Sequence, residues 1–195
     1  MLVNLPWLEI IGTLFGLTQV LLARKNIVHN YLFGIVAILI GTWVYYQSKL
    51  YGDILLNVYY FIMSVYGWTY WKYGKNHKES KITYTTKKEF ITACGIVIVA
   101  FSSIGYWLYF HTNTDVPLWD ALLSAFAWAG MWLMAKRKIE NWIFLNISNF
   151  IAIPLLFYKG LYVYMGLTVF LFIVAISGYI KWRNIIENER GIAEA

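Results

Sequence analysis

The stretch ENWIFLNISNF, residues 140–150, sets Asn141, Trp142, Asn146 and Asn149 in a run otherwise apolar enough to be buried. A side-chain amide offers two donors and an acceptor, and an indole offers a flat π-face with one N–H. Helical positions three, four and seven apart share a face. Trp142, Leu145 with Asn146, Asn149 and Ile153 therefore form one stripe, suited to a molecule with a planar ring and several hydroxyls. A comparable stripe, Asn57, Tyr60, Ser64 and Trp68, runs through residues 53–71, and residues 31–48 add Trp43 and Gln47. The plainer use of the same residues is structural. Asn and Ser bond across helix interfaces in lipid, and Trp and Tyr gather at membrane surfaces. Trp7, Trp71, Trp119 and Trp182, at the ends of apolar runs, fit such an aromatic belt. Asn141 reads as a start-of-helix residue, and Asn149, deeper in its run, as a group facing a passage or a bound solute. Asn57 fits either use.

Other chemistry is sparse. Glu9, Asp53 and Asp120 fall near the starts of apolar runs, where carboxylates complement the positive end of a helix. No Asp, Glu, Lys or Arg occupies the centre of a run, and proton relays or buried ion-coupling sites usually need one. His29, His77 and His111 have no metal-ligand spacing, and Cys94 is the lone cysteine. An internal disulfide and a CxxC site are thereby excluded. There is no phosphate-binding glycine loop, no nucleophile elbow, and no lysine in the middle of the last run to hold a Schiff base. These features leave no enzyme activity and no cofactor in the reading.

The elements that must carry these side chains are membrane spans. The 195 residues are 60% hydrophobic and only 13% charged, with a mean hydropathy of +0.56, outside the balance of soluble domains. Seven stretches have the roughly 17–25 residues that cross a bilayer, at 7–23, 31–48, 53–71, 90–110, 118–135, 142–158 and 164–182. Short connections predict one compact transmembrane domain over residues 1–195. The first span has no basic leader and no cleavage pattern, so it is expected to persist. The net charge of +6 is distributed very unevenly. One side of the membrane holds only Lys49 and Lys159, whereas the other holds the remaining fourteen Lys and Arg residues. The positive-inside rule then puts the N-terminus outside and the C-terminus in the cytoplasm. Nucleic acid is not implied. Pro154 is expected to kink the sixth span.

An ungapped shift of 111 positions aligns Pro6 with Pro117, Glu9 with Asp120, Phe15 with Phe126 and Lys25 with Lys136. It also aligns Asn30 with Asn141, Tyr31 with Trp142, Phe33 with Phe144, Gly67 with Gly178 and Trp71 with Trp182. The register predicts an internal repeat: spans one to three (6–72) recur as spans five to seven (117–183), and the fourth (90–110) links them. An even number of crossings separates the copies, so they are parallel. Parallel repeats about an axis along the membrane normal are a transporter architecture. A receptor or membrane assembly subunit, with the amides serving only as glue, stays open on the residues alone.

WLEIIGTLFGL, LYGDILLNVYYFIMSVYGWTYW, LWDALLSAFAWAGMWLMAKRKIENW and the KGLYVY and GYIKW segments resemble the PnuC family of bacterial vitamin-precursor transporters. The resemblance covers nearly the whole chain. It implies an all-α, 3+1+3 fold similar to the SWEET proteins, and usually a homotrimer in the cytoplasmic membrane. It further implies facilitated diffusion of nicotinamide riboside, trapped by a cytoplasmic kinase, with thiamine carried by relatives. The family's riboside carriers show a WxxWxxxN pattern in the sixth span, and here it reads Trp142, Leu145, Asn149, without the second Trp. On this resemblance Trp142 packs the ring and Asn149, Asn57 and Gln47 bond hydroxyls or amide. Asn146, Trp43, Tyr60 and Trp68 complete the expected lining.

Overall fold

The computed structural model describes residues 6–47, 51–74, 79–112 and 114–194. Lys49, Lys75, His77 and Lys78 lie outside these residues, as does the side chain of Asp53. Among the described residues seven helices follow one another: α1 (Pro6–Arg24), α2 (Asn30–Gln47), α3 (Tyr51–Tyr73), α4 (Lys87–His111), α5 (Pro117–Ala135), α6 (Asn141–Tyr158) and α7 (Tyr162–Glu194). Five of them, α1 from Trp7 onward, α4, α5, α6 and α7 as far as Ile192, are each long and apolar enough to cross a membrane. In α2 and α3 the same length is diluted by Tyr, Asn and Gln. The protein is an all-helical, multi-pass membrane protein. One end differs from the sequence expectation: α7 continues to Glu194 instead of stopping near 182. α6 ends at Tyr158, as expected, with Pro154 inside it.

The chain divides into two compact units, Met1–Lys81 and Ile82–Ala195. In the first, α2 packs against both α1 and α3; in the second, α6 packs against α5 and α7, and α4 packs against α5. Lipid supplies no hydrophobic drive between helices, so such packing depends on small residues that let backbones approach. The glycines sit accordingly. A Cβ at Gly178 would lie 2.7–2.8 Å from the Trp142 ring, and one at Gly67 would run into the Tyr31 ring.

Both units make the same turn before their middle helix. Asn26 at φ 60° and Arg137 at φ 56° take the left-handed conformation. Ile27 N–H then donates to Leu22 O at 3.0 Å, as Lys138 N–H does to Leu133 O at 2.9 Å. The next helix is opened by an asparagine in each case: Asn30 Nδ2 donates to Ile27 O at 2.7 Å and Asn141 Nδ2 to Lys138 O at 2.6 Å. Every partner in the second set stands 111 residues after its partner in the first.

The helix contacts also show a size exchange. In the first unit a Cβ at Gly34 would meet the Gln19 amide at 2.8–2.9 Å; in the second, a Cβ at Gly130 would meet Leu145 side-chain atoms at 2.7–2.8 Å. Gln19 corresponds to Gly130 and Gly34 to Leu145. The large and small residues have traded helices, and each interface keeps one of each.

The second unit carries further polar ties. Segment 82–86 runs beside the α5–α6 turn through a parallel bridge between Thr83 and Lys138. Thr83 N–H donates to Arg137 O at 3.2 Å and Ile139 N–H to Thr83 O at 3.1 Å. Thr86 and Glu89 form a capping box at the start of α4. Lys138 Nζ joins these parts, 2.9 Å from Glu89 Oε2 and 3.0 Å from Thr83 Oγ1. The extension of α7 reaches the same segment, with Arg190 over the Tyr84 ring at 5.7 Å. At the start of α5, Asp120 accepts from Thr114 Oγ1 at 2.8 Å and pairs with Lys159 Nζ at 2.9 Å.

Candidate functional site

The α6 stripe begins at the turn just described. Left-handed Arg137 reverses the chain, Asn141 ties its amide back to Lys138 O, and Trp142 enters the first turn of α6. Its ring lies on Gly178 and meets Trp182 edge to face, with centroids 5.6 Å apart at 86°. Tyr31 meets Trp71 in the same way, at 5.2 Å and 88°. Trp71 and Trp182 are wholly buried, which corrects the aromatic-belt expectation for this pair. Each is the packing partner of the ring that opens the middle helix. Trp7 and Trp119, more than half exposed, are placed as a belt requires.

Past Trp142 a cavity of about 420 Å³, open to the surface of the second unit, lies along α6 and α7. Ile143, Ile147 and Phe150 of α6 face Phe172, Ala175 and Tyr179 of α7 across it, and Trp142 and Asn146 also line it. Its walls are almost wholly apolar, and no charged side chain lines it. Two polar atoms at this wall are buried without a hydrogen bond: the indole Nε1 of Trp142 and Oδ1 of Asn146. A buried group left unpaired costs about 1–3 kcal/mol, and both atoms are closed to water as the helices are packed here. Such sites, mostly apolar with a few convergent polar groups, are the usual form of a small-molecule pocket.

The remaining residues named from the sequence are placed as follows. Asn149 is half-buried and off the cavity lining. Asn57 is committed to α2, donating to Thr42 Oγ1 at 3.1 Å and to Ile38 O at 3.3 Å. Tyr60 is half-buried beside Tyr59, with ring centroids 5.8 Å apart. Trp43 is 51% exposed beside Tyr46, and Gln47 and Trp68 are half-buried. These five belong to the first unit, and the cavity with Trp142 and Asn146 to the second.

Leu145, where the second Trp of the expected pattern is missing, packs on Gly130 of α5 and does not line the cavity. Sequence reading missed Tyr179 and Phe172 as lining. Their signal lay beside Gly178 and in the aligned pair Phe61 and Phe172. It also missed Ser148, whose hydroxyl donates to Leu123 O at 2.7 Å and fixes α6 on α5.

The family model described as nicotinamide mononucleotide transporter matches residues 6–184. The chain belongs to this family. The nicotinamide riboside transporter PnuC of Escherichia coli (strain K12) is 25% identical over 214 residues, covering 96% of this chain and 89% of the relative. The PnuC of Neisseria mucosa is 25% identical over 198 residues, covering 95% of this chain and 75% of the relative. The crystal structure of the vitamin B3 transporter PnuC superposes with a TM-score of 0.73 at 22% identity, over 93% of this chain and 83% of that one. Family membership and fold thus agree with a transporter and not with an enzyme.

Proposed function

We propose that the protein takes up nicotinamide riboside across the bacterial cytoplasmic membrane by facilitated diffusion, the solute being trapped inside by a cytoplasmic riboside kinase. The observation that carries this reading is the α6–α7 cavity, with apolar and aromatic walls and no charged lining. The riboside is a cationic heteroaromatic, and aromatic faces such as Phe150, Phe172 and Tyr179 attract a desolvated cation. Downhill passage asks for no ATP site and no buried ion-coupling charge. The family relatives named for nicotinamide riboside support the choice of solute.

In this reading the two three-helix sets, 6–72 and 117–183, are parallel repeats linked by the helix over 90–110, with the N-terminus outside and the C-terminus in the cytoplasm. They rock to alternate access, and three copies assemble. Asn149, Asn57, Gln47, Trp43, Tyr60 and Trp68 are proposed to meet the solute during that motion.

Proteoliposomes loaded with riboside kinase and ATP are expected to accumulate labelled nicotinamide riboside, and those without kinase only to equilibrate. Accumulation without kinase would point to active coupling. Uptake of thiamine with thiamine kinase, and none of the riboside, would reassign the substrate. No uptake of either would leave the membrane-subunit alternative.

A further inference from the structure

We infer that the main-chain carbonyl of Phe150, released from the helix by Pro154, is an acceptor for a hydroxyl of the transported solute. The inference rests on the transport reading above and assigns one polar contact of its site. Of the three prolines, Pro6 and Pro117 open α1 and α5, and Pro154 alone lies inside a helix. At the opening of a helix a missing N–H costs no helical bond. Inside one, each N–H bonds the carbonyl four residues back. Pro154 has no N–H, so the carbonyl of Phe150 loses its helical donor. A serine or threonine three or four residues on can bond back to such a carbonyl, but positions 153 and 154 are Ile and Pro.

The place of this carbonyl gives it a use. Phe150 belongs to the lining of the α6–α7 cavity, at the end of the α6 wall farthest from Trp142, where its ring centroid stands 6.5 Å from that of Phe172. The rest of the lining is nearly all hydrocarbon. A backbone group without a partner is costly in lipid, and an interrupted helix is tolerated where the freed group finds another donor or lines a cavity. Transporters with broken helices use freed carbonyls to coordinate what they carry. A carbonyl asks for a donor, and a hydroxyl supplies one without bringing a further charge into walls that hold none to answer it. In the first unit the counterparts of Phe150 and Pro154 are Leu39 and Trp43. Trp43 keeps its N–H, so this acceptor belongs to the second unit.

The test is equilibrium binding of nicotinamide riboside and its 2′-, 3′- and 5′-deoxy analogues to the purified full chain in nanodiscs. Wild type is expected to bind at least one deoxy analogue about tenfold more weakly than the parent, the loss of one hydrogen bond. Pro154→Ala restores the N–H and re-engages the carbonyl. In that variant the same preference is expected to fall to about onefold, while the melting temperature holds or rises. Pro154→Gly restores the same N–H and serves if the alanine variant does not fold. Lactic acid placed at position 154 by nonsense suppression removes the ring but supplies an ester oxygen in place of the N–H, so the carbonyl stays free; there the preference is expected to persist. Three outcomes overturn the inference while leaving transport intact: a wild type indifferent to every hydroxyl, a preference unchanged in Pro154→Ala, or one lost equally with lactic acid, which would assign the effect to the proline ring. A wild type that binds none of the ribosides overturns the transport reading and this assignment with it.

Discussion

Trp142 lies with its ring on the backbone of Gly178, close enough that a single methyl group there would overlap it. Tyr31 and Gly67 stand in the same relation 111 residues earlier. In lipid this close approach supplies the dispersion contact that holds the middle helix to the one after it. In each unit a tryptophan, Trp71 or Trp182, closes the edge of the same ring.

The glycines are therefore expected to resist replacement where a side chain lies against them and to tolerate it where nothing does. Gly178→Ala and Gly67→Ala should each lower stability by about 1–3 kcal/mol through overpacking. Gly166→Ala, with nothing near the added carbon, should be neutral or slightly stabilising. Thermal denaturation in detergent followed by size-exclusion monitoring measures all three; equal melting temperatures would refute the packing account.

The exchange of sizes between Gln19/Gly34 and Gly130/Leu145 makes a separate forecast. Gly130→Ala should cost about 1–3 kcal/mol and recover when Leu145 is cut to Ala. Leu145→Trp, which restores the indole of the expected pattern, should destabilise α5–α6 packing without improving riboside affinity. A gain in affinity from that substitution would mean that position 145 reaches the solute after all.

The Lys138–Glu89 pair is mostly sheltered, with side-chain exposures of 10% and 21%. A double-mutant cycle with Lys138→Met and Glu89→Gln should return a coupling of about 1–3 kcal/mol, little changed by salt because sheltered pairs are poorly screened. Coupling near zero would show the capping box, not the ion pair, to be what fixes α4.

Asp120 and Lys159 are more exposed, at 23% and 29%. Their coupling should not exceed about 1 kcal/mol, and it should fall as rising ionic strength shortens the Debye length below about 10 Å. Asp120→Asn with Lys159→Met, melted at low and high salt, checks this. A large, salt-independent value would place the pair in a dry environment.

Much of this was open to reading from the residues, because strong local rules govern it. Helix starts follow apolar run lengths and the asparagines that tie back to the preceding turn, as at Asn30 and Asn141. The ring and glycine pairs announced themselves through the fixed spacing of 111. What stayed hidden depends on tertiary contact. Trp71 and Trp182 have the span-end positions of belt residues, and only the rings of Tyr31 and Trp142 against them reveal their burial. Asn57 fits either a solute contact or a helix tie by its type, and only the fold shows its Nδ2 donating to Thr42 and Ile38. The extra turns of α7 follow from Arg190 finding Tyr84, a partner more than a hundred residues away.

That short run from Ile82 to Thr86 has a bearing on how the gene can be cut. It precedes its helix in the chain yet is stitched to the hairpin between α5 and α6 by main-chain bonds, so it is a clasp and not a spare connector. Any attempt to produce the two halves as complementing fragments has to leave the clasp on the downstream piece. A downstream fragment opened at Lys87 instead would begin with its own lock removed.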